Sequence, residues 1–168
     1  MGRLYFSHDL DRSGKLLPSP ISRIAYPTDL SETSDEALYW ATQVAKASAA
    51  DLLLVHVLPP PVPLFEAEPF EKPEAERAMS VLLATVKASG ISARGLLLTG
   101  TDSIGKQIVC AARFENTDLI VMGTRERSRT FRLFIGSSVA SNVVAHAECP
   151  VLVIPYNPVK TVRPVLHS

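Results

Sequence analysis

The sequence predicts an α/β domain in which helices cover both faces of a doubly wound, five-stranded parallel sheet. Three observations predict it. Short apolar runs alternate with longer amphipathic stretches, β-α four times and then a final β. The run DLLLVHVL over Asp51–Leu58 is apolar almost without a break, as a strand covered on both faces must be. A long strand-to-helix connection follows the fourth apolar run and both opens and closes on glycine. In such sheets ligands sit beyond the carboxyl ends of strands, where the strand order reverses.

Residues 1–20 read as a flexible arm ending in Pro18 and Pro20. Residues 21–156 form the domain, and 157–168 read as a loose tail with Pro158 and Pro164. The first strand is expected over Ile21–Tyr26, stopping at Pro27. A helix follows, with Thr33 and Glu36 at capping-box spacing and an inward stripe of Ala37, Ala41, Val44 and Ala45, flanked by Leu38 and Trp40. After the second strand, six prolines between Pro59 and Pro73 preclude regular structure and predict an extended surface connection. Pro73 suits the first turn of the second helix, which turns Ala75, Ala78, Met79, Leu82 and Val86 to one side and ends at Gly90. The third strand is expected over Ser92–Leu98, and the third helix over Ser103–Phe114 with Ile104, Ile108, Ala111 and Ala112 inward. The fourth strand is expected over Asp118–Met122. The fourth helix should start near Gly136–Ser138 and run to about Ala147, and VLVI (Val151–Ile154), between Pro150 and Pro155, makes the fifth strand.

The 168 residues suffice for one domain with a real core, and 46% hydrophobic with 20% charged residues fits a globular protein. With 17 basic and 17 acidic residues the formal charge is zero, so no electrostatic footprint points to nucleic acid or an anionic membrane. The first residues carry scattered charges rather than the apolar core of a signal peptide, and no apolar run reaches the roughly 18 residues of a membrane span. A cytoplasmic address follows by default. Cys110 and Cys149 form no CxxC pair, and each is expected to pack as a small hydrophobe.

The chemistry is concentrated after the fourth strand. Strand-to-helix turns usually take about two to six residues, and this one takes about twice that. After Met122 it opens on Gly123 and Thr124, and it closes on Gly136, Ser137 and Ser138 at a helix start. Glycine lets a ligand approach the backbone, and free N–H groups at a helix start favour phosphate. Arg125, Arg127, Arg129 and Arg132 make the loop locally basic. Either serine alone reads as a helix cap, whereas the whole loop reads as a phosphate site. The first strand ends in Tyr26-Pro27-Thr28-Asp29, which places Asp29 where a carboxylate can read an amino or hydroxyl group. An Asx-type turn that positions the first helix explains Asp29 equally well.

PTDLSETSDEAL after the first strand, LLLVHV in the second, LIVMGTR after the fourth and the closing CPVLVIP together resemble the universal stress protein family over residues 20–156. The resemblance implies a Rossmann-like fold of the adenine nucleotide alpha hydrolase type, strand order 3-2-1-4-5, and a stress-response regulator that binds ATP, with Mg²⁺ accompanying it and hydrolysis slow or absent. It implies adenosine contacts from Asp29 and from the backbone of Val57, with the phosphates on Gly136, Ser137 and Ser138. Pro27, Thr28, Met122, Gly123, Thr124 and Arg125 complete the nucleotide site that it implies. It also implies a homodimer through Val151–Ile154, whose apolar, proline-bracketed run reads independently as an edge strand that must be covered.

The family's ATP-binding branch has Gly-x2-Gly-x9-Gly-Ser/Thr after the fourth strand. Gly123 and Gly136-Ser137 fit its ends, while Glu126 stands at the middle glycine and brings a negative charge near the phosphates. The stretch from Gly136 to Cys149-Pro150 is also one residue longer than the family usually has, which allows a register shifted by one. A family member that has lost nucleotide binding and acts as a dimeric interaction module is therefore the alternative. A third reading, a phosphotransfer enzyme, rests on Gly100-TDSI-Gly105-Lys106-Gln107, close to the P-loop G-x4-G-K-[ST]. Gln107 replaces the hydroxyl that would bind Mg²⁺, Ile104 belongs to the inward face, and Lys106 is expected at the surface. His56, within a buried strand, is expected to be a satisfied core histidine. His146 suits a helix end. No catalytic nucleophile, base or metal motif is present in the sequence.

Overall fold

A computed structural model describes residues 21–30, 35–58, 72–124 and 139–155. Along them lie β1 (Arg23–Pro27), α1 (Asp35–Ser48), β2 (Asp51–Leu58), α2 (Lys72–Ala88), β3 (Ala93–Thr99), α3 (Ile104–Phe114), β4 (Leu119–Thr124), α4 (Val139–His146) and β5 (Val151–Pro155). The strands form one sheet in the order β3-β2-β1-β4-β5, and every pairing is parallel. Fold class and strand order are those expected.

Alternation along each strand separates two cores. Ile24 and Tyr26 of β1, Leu52 and Leu54 of β2 and Val121 of β4 pack with Ala37, Ala41 and Ala45 of α1 and with Met79 and Val86 of α2. Ala25, Val57, Ile120 and Met122 point the other way and pack with Ile108 and Ala112 of α3 and Ala140 and Val143 of α4. Each larger aliphatic side chain buried this way contributes roughly 1.5–3 kcal/mol. The alanine stripe of α1 makes little bulk, which lets that helix sit close against the middle of the sheet. Gly90 ends the second helical stretch in a left-handed conformation, φ 82°, as its glycine predicts.

Several boundaries differ from expectation. β1 begins at Arg23 rather than Ile21, and the amides of Ser22 and Arg23 both donate to Asp118 Oδ2, at 2.9 and 3.0 Å. It also includes Pro27, which pairs in register with Val55. β3 is displaced by one residue to Ala93–Thr99. β4 continues past Met122 because Gly123 and Thr124 pair with Ile154 and Pro155. Ser103 caps α3 rather than joining it; its hydroxyl accepts from the amide of Lys106. Val44 and Leu38 are half-buried, and Trp40 stands 44% exposed beside Tyr39. Cys149 packs half-buried as expected, but Cys110 is exposed, on the outward side of α3. The proposed arm (1–20), Thr33 of the capping box, most of the proline-rich connection (59–71), the loop 125–138 and the tail lie outside the described residues.

Candidate functional site

The strand order reverses between β1 and β4, and Pro27 sits where these two strands part. The amide of Thr28 donates to the Val55 carbonyl at 2.8 Å, so the backbone groups of Thr28 face β2. Successive residues of a parallel strand alternate sides, so those of Pro27 face β4. Proline has no N–H to give that neighbour. The β1–β4 register accordingly ends at Ala25↔Ile120, while β4 runs on beside β5 to Thr124↔Pro155. In open α/β sheets the crevice that takes ligands lies at such a switch point, beyond the carboxyl ends of the strands.

On the other side of β1 the register with β2 ends at Pro27↔Val55. One ladder step further would pair Asp29 with Val57. Among the described residues no backbone hydrogen bond joins Val57 to β1. Since Val55 turns its carbonyl towards β1, Val57, two residues on, turns its N–H and C=O the same way. One donor and one acceptor thus face the segment 28–30 without ladder partners, while the Val57 side chain is buried on the opposite face from α1.

Thr28 is buried and Asp29 half-buried at this switch point. Met122 is buried, its side chain in the core under α3 and α4, so only its backbone is placed to serve a ligand. Gly123 is exposed; among the described residues a side-chain carbon built on it would meet only Ala37 Cβ, at 3.5 Å. Pro27, Thr28, Asp29, Val57, Gly123 and Thr124 therefore gather at the ends of three adjacent strands. Arg125, Glu126, Gly136, Ser137 and Ser138 lie outside the described residues.

Sequence reasoning missed one participant. His56 is 5% exposed, and its Nδ1 lies 2.9 Å from the Thr28 carbonyl. The expected satisfaction is only partial, since Nε2 has no partner among the described residues. The signal available was a lone polar residue one position before Val57.

The P-loop lookalike is built otherwise. Lys106 Nζ pairs with Asp102 Oδ1 at 2.8 Å, and that hydrogen bond raises the pKa of the exposed ammonium. Gln107 Nε2 donates to the Asp102 carbonyl at 2.8 Å, and Ser103 occupies the helix start. Gly105 is buried against α4. Its absent side chain serves helix packing, not a phosphate cradle.

His146 is exposed and bonded through Nδ1 to the carbonyl of Asn142 in its own helix. Burial pushes the Cys149 thiol up, assisted by the charge of Asp118. At the opposite, amino end of the sheet Arg94 pairs with Glu115, whose main-chain carbonyl accepts from the Arg23 guanidinium. Among the described residues no group of His, Cys, Asp and Glu is arranged to hold a metal ion, and no helix is long and apolar enough to cross a membrane.

The sequence model of the Universal stress protein family matches residues 20–155 of the chain. A universal stress protein of Thermus aquaticus is 39% identical over 131 residues, covering 75% of this chain and 93% of the relative. A crystal structure of a universal stress protein in complex with cAMP superposes with a TM-score of 0.64 at 23% identity, covering 83% of this chain and all of the other. A universal stress protein of Archaeoglobus fulgidus in complex with dAMP gives 0.62 at 24%, covering 80% and 98%. At these identities the structures share a fold with the chain.

Proposed function

The chain is a member of the universal stress protein family, and we propose that it is a stress-response regulator that binds an adenine nucleotide, ATP or a close relative, where β1 parts from its neighbours. The observation that carries this reading is the unladdered backbone of Val57. Adenine presents an exocyclic amino donor beside a ring-nitrogen acceptor. A peptide carbonyl and N–H facing the same way complement that edge. Relatives of the same fold bound to cAMP and dAMP support the choice of base.

In this reading Pro27, Thr28 and Asp29 line the adenosine side. The backbones of Met122, Gly123 and Thr124 approach the ribose. Arg125, Gly136, Ser137 and Ser138 hold the phosphates. Mg²⁺ enters with a triphosphate. Occupancy is the signal, hydrolysis is slow or absent, and the protein works in the cytoplasm.

Mass spectrometry of natively purified protein tests the reading. A co-purified adenine nucleotide, lost in Asp29→Ala, supports it. Glu126→Gly, which removes a carboxylate from the phosphate end, should raise the affinity for ATP more than that for adenosine. Equal affinities in both proteins would mean that Glu126 does not face the phosphates.

A second reading has an observation of its own. β5 is the last strand of the sheet order, and Leu152 on it is 36% exposed, an apolar side chain on an edge. We propose that two copies cover this edge through Val151–Ile154. Without nucleotide, the chain acts as a dimeric interaction module. A dimer with no nucleotide, unchanged when nucleotide is added, would favour this second reading over the first.

A further inference from the structure

We propose that His56 and Thr28 are positioning residues that hold β1 off Val57 and so keep its N–H and C=O open to the adenine edge; the last clause rests on the nucleotide reading above. Continuing the parallel ladder by one step would require two hydrogen bonds. Val57 N–H would donate to the Thr28 carbonyl, and Leu30 N–H would donate to the Val57 carbonyl. Both β1-side groups are engaged elsewhere. The Thr28 carbonyl accepts from His56 Nδ1 at 2.9 Å, and Leu30 N–H donates to Thr28 Oγ1 at 3.0 Å. The imidazole and the hydroxyl thus occupy the two groups that would have closed the strand onto Val57.

Three features agree with a positioning role. Leu30 adopts φ 61°, a left-handed conformation unfavourable for a leucine, so the turn after Thr28 is held rather than relaxed. A carbonyl only accepts, so Nδ1 of His56 carries the hydrogen of this bond. Its other ring nitrogen, Nε2, is buried without a partner among the described residues. Burying an unpaired polar atom is costly, and a leucine or valine in this otherwise apolar strand would avoid the cost. The bond to Thr28 is what the histidine contributes in return.

The test compares amide hydrogen exchange of Val57 with that of Val55, together with AMP titrations, in the whole chain. In the wild type the Val57 amide should exchange faster than that of Val55. His56→Phe, which keeps a flat ring but no donor, should free the Thr28 carbonyl. Val57 should then gain protection and AMP affinity should fall about tenfold, the equivalent of one hydrogen bond of ~1.4 kcal/mol. Thr28→Val should move both readouts in the same direction by releasing Leu30 N–H. His56→Asn, which retains an N–H donor near the Nδ1 position, should restore both towards the wild type. Equal protection of Val57 and Val55 in the wild type, or unchanged protection in His56→Phe and Thr28→Val, would overturn the proposal. If the wild type binds no AMP, the nucleotide reading fails by itself, and the exchange rates still decide whether His56 and Thr28 hold the strand open.

Discussion

A side-chain carbon built on Gly105 would lie 2.6 Å from Oδ1 of Asn142 and 2.8 Å from its Cβ. α3 and α4 therefore meet with the backbone of one against the side chain of the other. Rotating Asn142 moves its amide away but leaves its Cβ in place. Gly105→Ala should thus destabilise the fold. Overpacking costs about 1–3 kcal/mol, whereas the better helix propensity of alanine recovers at most ~1 kcal/mol. Urea denaturation should show a lower midpoint for the variant at an unchanged slope. Neutral or raised stability would mean that the helices slide apart freely.

How far such features can be read from sequence depends on whether their cause is local. Asp51–Leu58 is recognisable as β2 because an unbroken apolar run needs no knowledge of its neighbours. The extension of β4 through Gly123 and Thr124 is not, because it exists only by pairing with Ile154 and Pro155. Pro27 likewise reads as a strand terminator in isolation. In the sheet it ends pairing only towards β4, to which it has no N–H to give. Asp29 and Gly123 were legible as candidates from their places at strand ends, and Val57 through a family resemblance. The bond from His56 to Thr28, 28 residues earlier, was not, because it joins two strands through a side chain.

The hydrogen bond from Arg94 holds the Glu115 carboxyl below its ordinary value of 4.5. A carboxyl depressed in the folded state stabilises it above the unfolded pKa, and this contribution is lost as pH falls through the folded value. Arg94 is half-exposed, so solvent screening limits the pair to less than about 1 kcal/mol. Glu115→Gln should lower the melting temperature slightly at pH 7 and low salt. The difference should shrink in high salt and vanish as the pH is brought well below 4.5. Thermal melts across that range check it; a gap that persists in acid would contradict the assignment.

The two thiols should separate by reactivity. Cys110 is exposed, whereas burial raises the pKa of Cys149 and leaves less of it as the reactive thiolate. Brief alkylation of the folded protein at mildly alkaline pH, followed by peptide mass spectrometry, should find Cys110 modified first. Denaturant should abolish the difference. Faster labelling of Cys149 in the folded protein would contradict its burial beside β4.

The nucleotide reading proposed above points to the strand ends at β1 and β4, the P-loop reading to Gly100–Lys106, and one titration separates them. Isothermal calorimetry of the purified chain with AMP and ATP should give one adenine nucleotide bound per chain. Binding should be weakened at least tenfold by Asp29→Ala, the loss of a hydrogen bond made by a charged group. Lys106→Ala should leave it unchanged, because that ammonium is already paired with Asp102. No binding by the wild type, or binding lost in Lys106→Ala and retained in Asp29→Ala, would contradict the account.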